Sequence, residues 1–183
     1  MSTIRGARRA AAVTALVAVT AMLLGPATAN AHFLGGSFPH TPGNWLYIGY
    51  TVSGSYQPQQ HAAASSWHST PTRVWVTQED FSVSEEDYYG YAYNTTWWGL
   101  TTMHPCFGSG CVYRWADLQL NTNTLGSETD FIRQKVAAHE FGHGLGLAHA
   151  TDGTYNSIMR QGYLSYNTPQ THDIDDINSL YPY

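Results

Sequence analysis

The sequence predicts an α/β domain built on a single mixed sheet. Three observations point there. Strand-like and helix-like stretches alternate in the order strand, helix, several strands, long helix, which suits one layered domain. Leu46, Ile48, Tyr50 and Val52 recur with a period of two, as in a half-buried strand. Phe131, Ile132, Val136, His139 and His143 recur at helical spacing. The chain of 183 residues, 43% hydrophobic and 14% aromatic, has apolar matter for one core and room for one domain.

Residues 1–31 read as a leader. Three arginines (Arg5, Arg8, Arg9) precede Ala10–Leu24, a run of Ala, Val, Leu and Met broken only by Thr14 and Thr20. Ala27-Thr28-Ala29-Asn30-Ala31 then offers small residues in the spacing that a signal peptidase reads. A membrane span needs about 20 apolar residues, and this run is shorter. The expectation is a secretory signal cut after Ala31. That leaves residues 32–183 as a secreted, extracellular domain with no membrane attachment once the signal is removed.

The remaining elements follow in order. After a Gly/Pro-rich entry comes the strand at Leu46–Val52, ended by Gly54-Ser55. Pro58 opens an alanine-rich helix that Pro71 closes, since Pro fits the first helical turn and not the interior. Val74, Trp75 and Val76 mark a second strand. The segments 88–93 and 97–103 are aromatic and β-branched, predicting strands joined at Asn94-Thr95. A further strand is predicted over 112–121. Ser127 and Asp130, three apart, suggest a capping box for a helix over 128–145, with Gly146 as its left-handed stop.

Charge excludes one class of partner. The chain carries eight Lys+Arg against thirteen Asp+Glu, and three of the eight lie in the leader. Phosphate contacts need clustered Lys and Arg, so no nucleic-acid partner is expected. Cys106 and Cys111 flank Phe-Gly-Ser-Gly. In a secreted chain an even count predicts a disulfide. The alternative, half of a metal site, lacks a second cysteine pair.

Residues 139–149 read His-Glu-Phe-Gly-His-Gly-Leu-Gly-Leu-Ala-His. His139 and His143 lie four apart, just over one helical turn, so both imidazoles share a face and converge on one ion. Glu140 points beside that ion. His149 lies past the helix end and returns only if Gly146 reverses the chain. Three neutral histidines leave a Zn²⁺ ion with an open fourth position, the pattern of catalytic zinc.

The pattern H-E-x-x-H-x-x-G-x-x-H is similar to the signature of metzincin zinc endopeptidases, and Val136–Leu147 most resembles the matrixin branch. Asn156-Ser157-Ile158-Met159 resembles the methionine turn, which implies that Met159 forms an apolar base under the metal without ligating it. By the same resemblance Tyr163 lines the pocket for the residue after the scissile bond, and Asp173–Tyr181 resembles the closing helix. The implied architecture is a metzincin-type zincin fold, a mixed twisted sheet with an active-site helix and a C-terminal helix. The implied activity is peptide hydrolysis by a metal-activated water with Glu140 as general base, at one zinc held by His139, His143 and His149. Trp98–Met103 is expected at an exposed sheet edge, where an extended substrate adds a strand.

Departures from the pattern carry their own expectations. The matrixin pro-segment cysteine motif is not seen, implying either no such latency or restraint by a separate protein inhibitor. Position 161 is Gln rather than the tyrosine of the astacin-like branch. His61, His68 and His104 do not assemble a second zinc site and read as surface or helix-cap residues. Glu85-Glu86-Asp87 leaves calcium open but reads more readily as a solvated loop. The partner is expected to be a protein or peptide substrate and the chain a monomer. Two competing readings are a zinc-binding recognition module and a zinc amide hydrolase acting on a small molecule. Retention of Glu140 argues against the first.

Overall fold

The computed structural model describes residues 32–104, 111–151 and 153–183, with the backbone alone at Cys111. The leader and Cys106 lie outside the described residues, so signal cleavage and the Cys106–Cys111 bond remain expectations.

The predicted alternation forms β2 (Leu46–Gly54), which follows the short β1 (Gly36–Ser37). The helix α1 (Gln57–His68) then carries the chain over to β3 (Val74–Gln78), which pairs with β2 in parallel. Parallel neighbours need such a crossover, because a hairpin cannot join them. In α1 the side chains of Gln60, Ala63, Ala64 and Trp67 are buried, at helical spacing on one face. Next come β4 (Glu86–Tyr91), β5 (Gly99–His104), β6 (Cys111–Val112) and β7 (Trp115–Asn121). The five-stranded sheet has the order β3-β2-β4-β7-β5. Its first four strands are parallel, and β5 runs antiparallel to β7 at the edge. A separate parallel pair joins β1 to β6.

Helices α2 (Thr122–Leu125), α3 (Asp130–Gly144) and α4 (Thr171–Leu180) complete the described elements. Helix α3 packs against α1, β5 and β7. Ala137 and Ala138 let large side chains reach its backbone. Tyr88 of β4 donates its hydroxyl to Ala137 O at 2.8 Å, and Trp67 of α1 donates its indole N–H to Ala138 O at 2.9 Å. Both are buried, so each satisfies a polar atom that would otherwise be orphaned.

The structure corrects several boundaries. Helix α3 starts at Asp130 rather than residue 128, and its cap is Thr129, whose Oγ1 accepts from Ile132 N at 3.3 Å. Ser127 is not the cap. The strand expected over 97–103 begins at Gly99, and the one expected over 88–93 ends at Tyr91. The Asn121 side chain explains both: it accepts from Tyr93 N and donates to Thr95 O and Trp97 O, tying this stretch into a loop. The strand expected over 112–121 is split into β6 and β7.

Glu85-Glu86-Asp87 is not a solvated loop. Strand β4 begins at Glu86, which the register places between Tyr50 and Ala116. Its side chain is fully buried against Gly144, where a Cβ would lie 2.7 Å from the carboxylate carbon.

Candidate metal centre

Two turns of α3 and the loop behind it assemble the site. The ring centroids of His139 and His143 lie 4.7 Å apart, and His149 comes within 5.1 and 4.6 Å of them. The Nε2 atoms of His143 and His149 are 3.1 Å apart. Gly146, at φ 101°, makes the reversal that brings His149 back. That backbone region favours glycine, and here a Cβ would also meet Gly36 O at 2.9 Å.

Backbone carbonyls set the two helical imidazoles. His139 Nδ1–H donates to Ile158 O at 2.8 Å, and His143 Nδ1–H donates to Leu147 O at 2.7 Å. A carbonyl only accepts, so the proton sits on Nδ1 and each Nε2 presents a lone pair. Burial disfavours the imidazolium form. It holds His139 well below the usual histidine range, aided by His143, lowers His143 to about 4, and lowers His149 as well. Three neutral imidazoles that converge without a fourth side chain fit an open zinc site.

Glu140 is buried beside the triad. Thr101 Oγ1 lies 2.8 Å from Glu140 Oε2 and 3.0 Å from Glu140 O. Burial pushes the carboxyl up to about 7, against the opposing pull of the Thr101 hydrogen bond and the Lys135 charge. Lys135, one turn before His139, is itself lowered to about 8 by burial and donates to Arg160 O at 3.0 Å. These residues line a cavity of about 590 Å³, bounded on one side by the edge-strand residues Gly99, Leu100 and Thr101 and on another by Gln161 and Gly162. A ligand pocket commonly spans about 300–1,000 Å³.

Met159 is buried, its sulfur packed toward Gly142, where α3 has no side chain. Ser157 and Asp173 hold this turn. Ser157 Oγ donates to Asp173 Oδ1 at 2.5 Å, and Ile158 N donates to Asp173 Oδ2 at 2.8 Å. Helix α4 thereby fixes the carbonyl that orients His139. Tyr163 stands apart, largely exposed, with its ring 5.0 Å from that of Trp98 and its hydroxyl donating to Glu128 Oε1 at 2.8 Å. His61, His68 and His104 contact Tyr50, Val76 N and Asp117 respectively, away from the triad.

Sequence reasoning brought together His139, Glu140, His143 and His149 but missed Thr101, Lys135, Gly99 and Asp173. Lys135 had a local signal, being the only lysine and four residues before His139. Thr101 and Gly99 fall in the Trp98–Met103 stretch expected at the sheet edge, but their contact with Glu140 arises only through tertiary packing.

Comparison with known proteins agrees with this geometry. The matrixin family model matches residues 48–182. Human (Homo sapiens) neutrophil collagenase is 43% identical over 65 residues, covering 33% of this chain and 13% of the collagenase. Bovine (Bos taurus) interstitial collagenase is 44% identical over 54 residues, covering 28% of this chain and 11% of the collagenase. The chain thus matches only a small part of the length of these relatives.

Solved structures share the fold, among them the following two. High choriolytic enzyme 1, a hatching enzyme zinc-protease from Oryzias latipes (medaka fish), aligns with a TM-score of 0.51 at 15% identity, over 79% of this chain and 94% of that one. Myroilysin aligns with a TM-score of 0.52 at 14% identity, over 84% of this chain and 99% of that one. The metzincin-type mixed α/β fold and the residues matched by the family model lead to one conclusion: the chain belongs to the matrixin family of zinc metalloproteases.

Proposed function

We propose that this protein is a secreted zinc endopeptidase in which Glu140 is the general base. The observation that carries the reading is Glu140 itself, buried at the cavity beside three converging histidines and within 2.8 Å of the Thr101 hydroxyl on the edge strand. A general base must lie within reach of the proton it takes, and a carboxylate lining the cavity beside the metal ligands does.

His139, His143 and His149 would hold the zinc, which supplies Lewis acidity and an acidified water when bound. Thr101 holds Oε2 and leaves Oε1 to take the proton of the attacking water. The same carboxyl then delivers that proton to the leaving amine. The fixed Nδ1–H bonds keep each Nε2 aimed at one point, so the centre needs little reorganisation. Burial of Glu140 and His139 excludes bulk water, which strengthens each charge interaction. Among the described residues the outer edge of β5 is unpaired; it runs beside the cavity and suits an extended peptide added as a strand, which favours a polypeptide over a compact small molecule. Tyr163, whose ring packs on that of the cavity residue Trp98, is by resemblance the residue that lines the pocket for the side chain after the cleaved bond.

The test compares the parent with Glu140→Gln on a peptide library, with zinc content measured for both. The expected result is equal zinc and a loss of about 10²–10⁴-fold in hydrolysis, with chelation abolishing parental activity. Equal cleavage by both proteins would remove Glu140 from the mechanism. Zinc bound in both with no cleavage by either would make the protein a recognition module. N-terminal sequencing of the product in the culture medium, expected to begin at His32, tests secretion and the cut.

A further inference from the structure

Among the described residues one other cluster has the make-up of a metal centre: His32, His172 and Asp176. His172 and Asp176 lie four apart on α4 and share a face, as His139 and His143 do on α3. His32 reaches them from 140 residues away in the chain.

The three nearest atoms are close to equidistant. His172 Nε2 is 3.4 Å from His32 Nδ1 and 3.6 Å from Asp176 Oδ2, and His32 Nδ1 is 4.0 Å from Asp176 Oδ2. A point equidistant from all three lies about 2.1 Å from each, the length of a zinc–nitrogen or zinc–carboxylate bond. That point lies in the plane of the three atoms; an ion lifted out of it toward a fourth, solvent ligand sits about 2.2–2.3 Å from each.

The ligands are also held. The His172 ring stacks on Tyr155 at 4.9 Å with an interplanar angle of 9°. Asp176 is buried, and the charged or titratable side chains facing it are His32, His172 and Asp173, the last of which is taken by Ser157 and Ile158. Among the described residues no lysine or arginine faces it; the backbone nitrogen of His32, the α-amino group of a chain cut after Ala31, lies 3.4 Å from Oδ2. A buried carboxylate that also faces two imidazoles can share a cation with them.

We infer that His32 Nδ1, His172 Nε2 and Asp176 Oδ2 bind a second divalent transition-metal ion of the zinc class, separate from the triad. Two imidazoles and one carboxylate suit zinc, and suit calcium or magnesium poorly, since those prefer oxygen alone. The ion is structural. It clamps the start of the domain to α4. Phe33 pairs with Leu147, and Leu34 N donates to Gly146 O at 2.9 Å, so the segment that the ion pins is the one that braces the loop to His149.

The experiment measures zinc per chain in the processed protein after equilibration with excess zinc and removal of free metal, together with the thermal midpoint. The parent should retain two equivalents. His172→Ala and the closer mimic Asp176→Asn should each lose one and melt at a lower temperature. His143→Ala should lose the other equivalent and keep the one at α4, which separates this site from the catalytic reading. Circular dichroism establishes that each variant is folded. One equivalent in the parent, unchanged in His172→Ala and Asp176→Asn, would overturn the proposal. So would two equivalents that both variants retain.

Discussion

Thr101, on the edge strand, and Glu140, on the active-site helix, are joined by a hydroxyl that lies 2.8 Å from the carboxylate and 3.0 Å from the carbonyl of the same residue. One side chain thus links the substrate-facing strand to the candidate base. A hydroxyl has one proton, so it serves one of these acceptors at a time. Ionised Glu140 offers the stronger of the two, because hydrogen bonds to charged groups are the stronger class.

Thr101→Val should therefore move the pH profile. The hydrogen bond favours ionised Glu140 and lowers its pKa, so its loss raises that value further. A base must be ionised to act, and the acid limb of kcat/KM should shift to higher pH. Below the limb the loss should reach about tenfold, as befits a hydrogen bond to a charged group. An acid limb that stays in place would show that Thr101 does not tune Glu140.

Gly99 and Gly142 separate activity from stability. A Cβ at Gly99 would lie 2.7 Å from Glu140 Cδ, at the movable end of an acidic side chain. Gly99→Ala should displace the carboxylate and lower kcat/KM by more than about tenfold with little change in melting. A Cβ at Gly142 would meet Met159 Sδ and, at 3.0 Å, Trp67 Cζ2, both in the packed core. Gly142→Ala should cost about 1–3 kcal/mol in unfolding experiments. The reverse pattern would mean that the two glycines have been assigned the wrong roles.

Glu86 predicts how stability depends on pH. Burial, with Glu85 and Asp87 nearby, raises its carboxyl well above the ordinary range, and neither oxygen has a hydrogen-bond partner. Its folded value is thus higher than its unfolded value. The folded state holds the proton more tightly, so stability is fully present below the ordinary carboxylate range and is lost as pH rises through the raised value. Glu86→Gln should remove that loss, stabilising the protein at neutral pH by roughly 1–3 kcal/mol and by much less at acid pH. Urea unfolding at the two pH values checks this. An equal effect at both would exclude the charge as its cause.

The two cysteines should be joined in secreted material. Alkylation of the native, unreduced protein should label neither Cys106 nor Cys111, and alkylation after reduction should label both. Labelling before reduction would sink the bond. Loss of a bond closing so short a loop should lower stability by no more than about 3 kcal/mol.

Local pattern alone determined a good deal. Periods of two and 3.6 placed β2 and α3, because side-chain direction along strands and helices is a local property, and composition with the prolines at 58 and 71 placed α1 and β3. The histidine spacing was equally legible. A turn of helix sets His139 over His143, and the positive φ needed to recover His149 points to glycine at position 146.

Tertiary structure decided the rest. The order β3-β2-β4-β7-β5 put Thr101 and Gly99 against Glu140, although 39 residues separate Thr101 from it. Glu86 reads as solvent-exposed in its acidic run, yet a parallel register buried it under Gly144. His32, His172 and Asp176 meet only because the start of the domain folds back on α4. Such contacts depend on which surfaces pack together, and packing is a property of the whole chain. A spacing of three or four residues can encode a helix face, whereas no local spacing encodes a meeting of residues 140 apart.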